Sequence, residues 1–141
     1  MRTLLLASVM VVCCVVGCRN LTTPKMTILN VNDLNTEHKK DKEALRAKYD
    51  GKEVIVMGRA TDDFNPNSIY FDSGDKQVTF SLQADLSQES WVGVDCRVEA
   101  ANKDQFAAIK KDDVFAVKGI FHITKGGMEV SPCSRELREA K

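Results

Sequence analysis

Residues 49–58 read YDGKEVIVMG, and the spacing of apolar residues changes within this run. Before Gly51, residues 37–49 form a charged run with a thin apolar stripe at helical spacing, which predicts a surface helix. After Gly51 the period becomes two, and residues 53–61 are predicted to form a strand. The chain therefore passes from a helix to a sheet at this glycine.

The period of two recurs through the rest of the chain. Turn residues separate the alternating runs, and Gly126-Gly127 marks a tight turn before the last one. Predicted strands cover residues 53–61, 68–71, 76–83, 91–99 and 114–123, with a last strand from Met128. A short helix is predicted over residues 102–110, with Phe106 and Ile109 facing inward. This order predicts a mainly β fold.

Two of the predicted strands repeat one pattern around a glycine. Aligned on Gly58 and Gly119, residues 54–60 read VIVMGRA and residues 115–121 read FAVKGIF. Apolar residues lie four and two positions before each glycine and two positions after it. A glycine inside a strand usually marks a bulge or a sharp bend. Two strands bent at matched points are typical of a small closed barrel, whose strands must coil to close.

The run at residues 49–58 also resembles the Y-x-G-K-x-V-x-V-x-G opening of the OB-fold family called tRNA_anti-like. Four further features are similar to that family: Ala44, residues 94–98, the lysine-rich turn before Val114, and a cysteine at the end of the last strand. The resemblance covers about residues 33–137. It implies a five-stranded OB-fold barrel with an N-terminal helix and a short helix between the third and fourth strands.

Residues 1–17 have the features of a secretory leader. Arg2 supplies the positive start, and the apolar run 4–16 has the length of a signal-peptide core, shorter than the roughly 20 residues of a membrane-spanning helix. Residues 15–18, VVGC, resemble the lipobox of bacterial lipoprotein precursors, in which a small residue precedes the cysteine that receives diacylglycerol. Cys18 is the candidate lipidation site, and an uncleaved apolar anchor or an ordinary signal peptide is the alternative.

The leader predicts a protein that is anchored in the cell envelope by lipid on Cys18. Residues 18–36 would then be a tether, and residues 37–141 would be the OB-fold domain with its N-terminal helix. Arg19 follows the acceptor cysteine, whereas Asp at that position marks such proteins for retention in an inner membrane. The outer membrane, facing the periplasm, is therefore favoured over the inner membrane.

Two cysteines lie in the predicted barrel. The resemblance places Cys96 on the third strand and Cys133 at the end of the fifth, and these strands are neighbours in an OB barrel. Export implies an oxidising compartment, in which disulfides persist. A Cys96–Cys133 disulfide is therefore favoured over two buried, unpaired thiols.

The sequence contains no recognisable catalytic or metal-binding motif. The cysteines and histidines lack zinc spacing, and His38 and His122 are both expected to be solvated. The acid pairs Asp62-Asp63 and Asp112-Asp113 are expected to form turns, with a calcium site or acid–base catalysis as the alternative. Nucleophile-elbow, metalloprotease and phosphate-loop motifs are absent. The sequence therefore predicts a protein that is not an enzyme and uses no metal or cofactor.

Binding is the favoured role. OB barrels bind oligonucleotides or oligosaccharides on the face of their second and third strands. The candidate binding face combines aromatic rings and cations: Arg59, Tyr70, Lys76, Trp91 and Arg97. Packing of these rings within the barrel is the alternative, favoured for Trp91.

The sequence predicts a membrane-anchored envelope lipoprotein with a non-catalytic OB-fold binding or scaffold domain. Its expected partners, besides the membrane, are envelope proteins or glycans. The alternative is a protein that binds single-stranded nucleic acid. The 20 basic residues are balanced by 20 acidic ones, and proteins that neutralise phosphates usually carry a basic excess. Export and zero net charge therefore disfavour nucleic acid as a partner.

Overall fold

The computed structural model describes residues 26–66, 69–72, 75–83 and 93–137, with the backbone alone at residues 69–72 and 75–78. Its helices are α1 (Val31–Lys40), α2 (Lys42–Tyr49) and a 3-10 helix (Ala100–Phe106). Its strands are β1 (Thr27–Asn30), β2 (Glu53–Ala60), β3 (Ile69–Asp72), β4 (Asp75–Gln83), β5 (Val94–Glu99), β6 (Val114–Ile123) and β7 (Met128–Glu136). None of the helices in these ranges is long and apolar enough to cross a bilayer.

The strands form one sheet that closes on itself. Their order is β1-β2-β6-β7-β5-β4-β3, and β2 also pairs with β4, where Ala60 faces Leu82. β2, β6, β7, β5 and β4 therefore make a ring, in which β5 and β7 are parallel and the other pairs are antiparallel. This arrangement confirms the predicted five-stranded OB-fold barrel, with a short helix between its third and fourth strands.

Most elements lie where the alternation of the sequence predicts them. β6 has the predicted bounds, and β2 ends one residue earlier than predicted. The short helix predicted over residues 102–110 is a 3-10 helix that starts and ends earlier, at Ala100 and Phe106. Phe106 and Ile109 are both buried, as predicted. The inward face was therefore easier to predict than the type of helix.

The domain begins earlier than predicted. Residues 27–36 were expected to lie in the tether, but they form β1 and the first part of α1. β1 pairs in parallel with β2, and Val31 and Leu34 of α1 are buried in the barrel core. A four-residue strand is stabilised by its partner rather than by its own sequence, so local periodicity did not reveal it.

The predicted helix over residues 37–49 is two helices that meet at Asp41. Asp41 has an extended backbone, and its N–H still bonds to Glu37 O at 2.9 Å. Its carboxylate Oδ1 accepts from Ala44 N at 2.9 Å and caps the start of α2. A short aspartate side chain can thus end one helix and start the next, which turns the chain without a glycine or proline.

β7 carries a bulge at Pro132. The register shifts on both sides of it, between Cys96 and Val98 in the pairing with β5, and opposite Gly119 in the pairing with β6. Proline cannot donate a ladder hydrogen bond and is tolerated in a strand at such a bulge. Gly119 therefore marks an irregularity of the sheet, as its place inside a strand predicts.

A disulfide joins Cys96 of β5 to Cys133 of β7. Their Cα atoms are 5.6 Å apart, and both residues are buried. The parallel pairing of β5 and β7 places the two side chains across neighbouring strands on the inward face. The bond therefore fastens the third strand of the ring to the fifth from inside the barrel.

Candidate functional site

Arg59, the first cation of the predicted binding face, braces a turn. It lies near the end of β2, and its Nη1 donates to the carbonyl oxygen of Asp112 at 2.7 Å. Asp112 has a φ of 69°, a conformation that few residues other than glycine adopt. The guanidinium thus stabilises the turn that leads into β6.

Arg97, the second cation, is held by a carboxylate on the neighbouring strand. Its Nε lies 2.8 Å from Oε2 of Glu129 on β7, and only 22% and 13% of the two side chains are exposed. The pair bridges β5 and β7 on the outside of the barrel. Because Glu129 neutralises the guanidinium, Arg97 adds little net positive charge to this face.

The other members of the predicted face lie outside what the structure describes. Tyr70 and Lys76 are described only as backbone of β3 and β4, and Trp91 lies in the undescribed segment before β5. The lipidation candidate Cys18 also lies outside the described residues. Arg59 and Arg97 themselves lie on the two strands that flank β4.

The outer face of β4 and β5 is polar where its side chains are described. Ser81 faces Asp95 across the two strands, and its Oγ donates to Asp95 Oδ1 at 2.6 Å. Thr79 faces Arg97 one pair further along. The described rings lie elsewhere: Phe64, Phe80, Phe106, Phe115 and Phe121 are buried in the core, and Tyr49 packs edge-on against Phe121. Among the described side chains, none offers a fully exposed ring for base stacking.

A small pocket lies at one end of this polar face. It has a volume of about 190 Å³ and is formed where the start of β5, the β6–β7 turn and the junction of α1 with α2 meet. Its polar lining comes from His38, Lys42, Asp95, Lys125 and the backbone of Gly93 and Gly126-Gly127. Asp95 therefore belongs to both the polar face and the pocket, and together they form the candidate site.

Glycines build the pocket wall. Gly93 lies so close to β4 that a Cβ there would be 2.7 Å from the carbonyl oxygen of Leu82. Gly127 has a φ of 148°, in the region that favours glycine, and its carbonyl accepts from Thr124 N at 2.9 Å. The tight turn predicted at Gly126-Gly127 is thus the turn between β6 and β7, and it carries Lys125 to the pocket.

Lys42 connects the helices to this turn. It is the first residue of α2, and its Nζ donates to the carbonyl oxygen of Thr124 at 3.1 Å. An ammonium group has three N–H donors, so this bond leaves two of them for other partners. Lys42 therefore both fixes the turn and presents positive charge to the pocket.

His38 differs from the sequence-based expectation of a solvated side chain. It is half-buried at the end of α1, and its Nε2 is buried without a hydrogen-bond partner among the described residues. Burial lowers the pKa of His38 below its usual value, and the nearby Lys42 lowers that pKa further. By contrast, His122 has a side chain that is 42% exposed.

One aspartate of each acidic pair accepts a backbone N–H: Asp113 within its own turn, and Asp63 from the distant loop at Lys111. Asp63 Oδ1 accepts from Lys111 N at 2.9 Å, and Asp113 Oδ2 accepts from Lys110 N at 2.9 Å. The backbone hydrogen bond from Lys111 is the main reason why the pKa of Asp63 is lowered. No cluster of three or more histidine, cysteine or acidic side chains suited to a metal ion occurs within the described ranges.

No local pattern in the sequence groups the residues of the pocket. His38 and Lys42 are one helical turn apart in a charged run, whereas Asp95 and Lys125 come from later strands and turns. Gly126-Gly127 was the only local signal near them, and it predicted a turn without indicating which residues lie beside that turn. Their proximity follows from the closure of the barrel.

Comparison with known proteins identifies the family of the chain. Curated proteins show no match to the chain. The model of the tRNA_anti-like family matches residues 4–134, which is most of the chain and includes the barrel strands up to the last two residues of β7. With its OB-type ring and this match, the chain belongs to the tRNA_anti-like family.

Proposed function

We propose that the protein is a lipid-anchored component of the cell envelope whose OB barrel is a non-catalytic binding or scaffold domain. The observation that carries this proposal is the buried disulfide between Cys96 and Cys133. Disulfides persist in oxidising compartments and are rare in the cytosol. A structural disulfide therefore supports export, which the lipobox-like residues 15–18 predict independently.

The early start of the domain shortens the proposed tether. From Cys18 to Met26, the first described residue, there are 26 − 18 = 8 residue steps. A fully extended chain of that length spans at most about 28 Å. Lipid on Cys18 would therefore hold the barrel close to the membrane, within reach of partners on or beside the bilayer.

The chemistry of the described face favours binding over catalysis. Arg59 holds a turn, Arg97 faces Glu129, and Asp63 accepts a backbone N–H, so each of these charged groups already has a structural role. Hydroxyl, carboxylate and backbone groups along β4 and β5 suit hydrogen bonding to a polar ligand. Envelope proteins and glycans offer such polar groups.

The alternative, binding of single-stranded nucleic acid, rests on membership of an OB-fold family. Such binders combine a positively charged groove with aromatic rings on which bases stack. The described part of the face has no exposed ring, and its two arginines are already engaged: Arg97 with the carboxylate of Glu129 and Arg59 with the carbonyl oxygen of Asp112. We therefore place nucleic acid second.

The anchor is tested by the intact mass of the protein purified from membranes of its native host. A chain that starts at Cys18 and carries acyl groups is the expected result. Cys18→Ala should abolish acylation and release the protein from the membrane, whereas Cys14→Ala, a matched change in the leader, should leave both intact. An unmodified chain starting at Met1 in the soluble fraction would contradict the proposal.

The binding role is tested with the same preparation. Cross-linking in intact cells should recover a defined envelope protein or glycan, and fluorescence anisotropy with short single-stranded oligonucleotides should show no binding at low salt. Charge-driven binding to nucleic acid weakens steeply as salt rises. Salt-sensitive oligonucleotide binding without an envelope partner would reverse the order of the two functions.

A further inference from the structure

We infer that the pocket between His38, Lys42, Asp95 and Lys125 binds a small ligand that presents an oxyanion, carboxylate or phosphate, beside a hydroxyl or ammonium donor. This inference rests on the proposed binding function and deepens it by naming a ligand class. The pocket lies at the end of the β4–β5 face rather than across it. It is therefore a site for a compact group and differs from an extended groove for a polymer.

The charge of the lining selects an anion. Lys42 and Lys125 contribute two positive charges against one negative charge from Asp95. Lys125 is exposed on its turn and has no hydrogen bond or ion pair with any described residue. Lys42 uses one of its three N–H donors to bond the carbonyl oxygen of Thr124, and two remain for a ligand. Two ammonium groups with free donors can hold an oxyanion through charge-assisted hydrogen bonds.

Asp95 selects the second group of the ligand. Its Oδ1 accepts from Ser81 Oγ, which fixes the orientation of the carboxylate at the pocket edge. A carboxylate has several acceptor sites, so Asp95 can also accept from a hydroxyl or ammonium group of the ligand. A simple anion without such a donor would meet repulsion from Asp95 and form no hydrogen bond with that carboxylate to offset it.

His38 lines the pocket beside the lysines and reports on its occupant. Its Nε2 is buried without a hydrogen-bond partner among the described residues, and a buried polar atom of this kind is costly to leave unpaired. Because the imidazole of His38 lines the pocket, a ligand bound there would change the surroundings of this ring. Burial and the nearby Lys42 lower the pKa of His38, which favours the neutral imidazole in this lining.

The size of the pocket limits the ligand. Pockets for drug-sized molecules usually measure about 300–1,000 Å³. At about 190 Å³ this one is smaller and admits one compact group. That group can belong to a free metabolite or to the end of a larger molecule, with the rest in solvent.

The two histidines of the chain make the test direct, because only His38 lines the pocket. The full chain, purified in detergent, is titrated with glycolate, glycerol 3-phosphate and glycerol while the imidazole proton resonances are followed by NMR. At least one of the two anions should shift the His38 resonance in a saturable manner at concentrations of about 1–10 mM. Glycerol should not, and His122 should stay unchanged. The affinities for glycolate and glycerol 3-phosphate are compared to show whether the pocket prefers a carboxylate or a phosphate.

Matched variants locate the effect. Lys125→Ala should weaken binding about tenfold, which corresponds to about 1.4 kcal/mol. Lys103→Ala removes an equal charge from an exposed residue outside the pocket and should leave the affinity unchanged. Asp95→Asn should reduce the preference for glycolate over acetate, which lacks the hydroxyl donor.

The inference is overturned if neither anion shifts His38, if both histidines shift together, or if Lys103→Ala weakens binding as much as Lys125→Ala. The intact mass of the same preparation separates this result from the proposed function. If the protein is lipidated but binds neither anion, the inference about the pocket is refuted and the proposed anchor stands. If the protein carries no lipid but still binds one of the anions, the anchor is refuted and the inference about the pocket stands.

Discussion

β2 and β6 carry the same sequence pattern and lie side by side, yet their glycines meet different neighbours. The strands pair in antiparallel fashion, and their first eight residues share one pattern of buried and half-buried positions. A Cβ added at Gly119 would overlap the carbonyl oxygen of Pro132, a backbone atom in the bulge of β7. A Cβ added at Gly58 would lie 2.7 Å from Cγ2 of Val31, the end of a side chain on α1.

The same sequence pattern therefore places its glycine in two different packing environments. At Gly58, β2 leaves its pairing with β1, which ends at Met57, and begins to pair with β4 at Arg59. The nearest atom there belongs to a side chain and not to the backbone. At Gly119 the neighbour is the backbone of β7, which the disulfide at Cys133 ties to β5. That backbone has little freedom to withdraw.

The largest expected effect is that of Gly119→Ala. The new methyl group would overlap a backbone carbonyl, so we expect a loss of more than about 4 kcal/mol in the free energy of unfolding, an exceptional value for one substitution. Urea denaturation followed by circular dichroism measures it. Gly126→Ala is the control, because its Cβ would meet only Thr124 Oγ1 at 3.8 Å. Equal losses in both variants would refute the close approach.

Removal of the disulfide should have the next largest effect. Cys96 and Cys133 are 37 residues apart, and the chain-entropy estimate for a loop of that length is about 4 kcal/mol, with about 2–4 kcal/mol typical. We expect a loss in this range when urea unfolding of the reduced and oxidised chains is compared. Alkylation of both thiols confirms the reduction.

The same experiment tests the comparison. Without the bond, β7 can move away from Gly119, so the additional cost of Gly119→Ala should become smaller in the reduced chain. The cost of Gly58→Ala should not change, because the neighbours of the new Cβ belong to Val31, Leu82 and Gln83, on elements that the disulfide does not join. An unchanged Gly119→Ala cost would show that the bulge is rigid without the disulfide.

Gly58→Ala should be milder, with a loss of about 1–3 kcal/mol, as is common when a methyl group is forced into a packed core. Trimming its neighbour with Val31→Ala should relieve the contact. In a double-mutant cycle we expect the two changes to couple by about 0.5–3 kcal/mol, as residues in contact do. Strictly additive losses would mean that Leu82, not Val31, is the limiting neighbour.

The smallest effect concerns the ion pair between the two strands. Glu53 Oε1 lies 3.2 Å from Lys118 Nζ, and the side chains are 51% and 36% exposed. Pairs exposed in this way contribute about 0.2–1 kcal/mol, so Lys118→Ala should lower the free energy of unfolding by less than about 1 kcal/mol. The loss should shrink further in high salt. A larger, salt-insensitive loss would indicate that the lysine stem contributes by packing.

Sequence patterns predicted the barrel well because its strands obey a local rule. The bounds of β6 followed from alternation alone, and Gly119 lies at a bulge, as its place inside a strand predicted. β1 and the first part of α1 were assigned to the tether, since Val31 and Leu34 are too few to set a period. The binding face was predicted from residue type, which could not show that Asp112 and Glu129 already hold Arg59 and Arg97.

The sequence by itself determined the mainly β fold, the order of its elements, the inward faces of its strands and the positions of its two strand glycines. These properties depend on spacing within a few residues, which the chain displays directly. Only the tertiary structure decided which neighbour each glycine meets, that β1 joins β2, and that His38, Lys42, Asp95 and Lys125 share one pocket. These properties depend on contacts between distant parts of the chain, which exist only after the barrel closes.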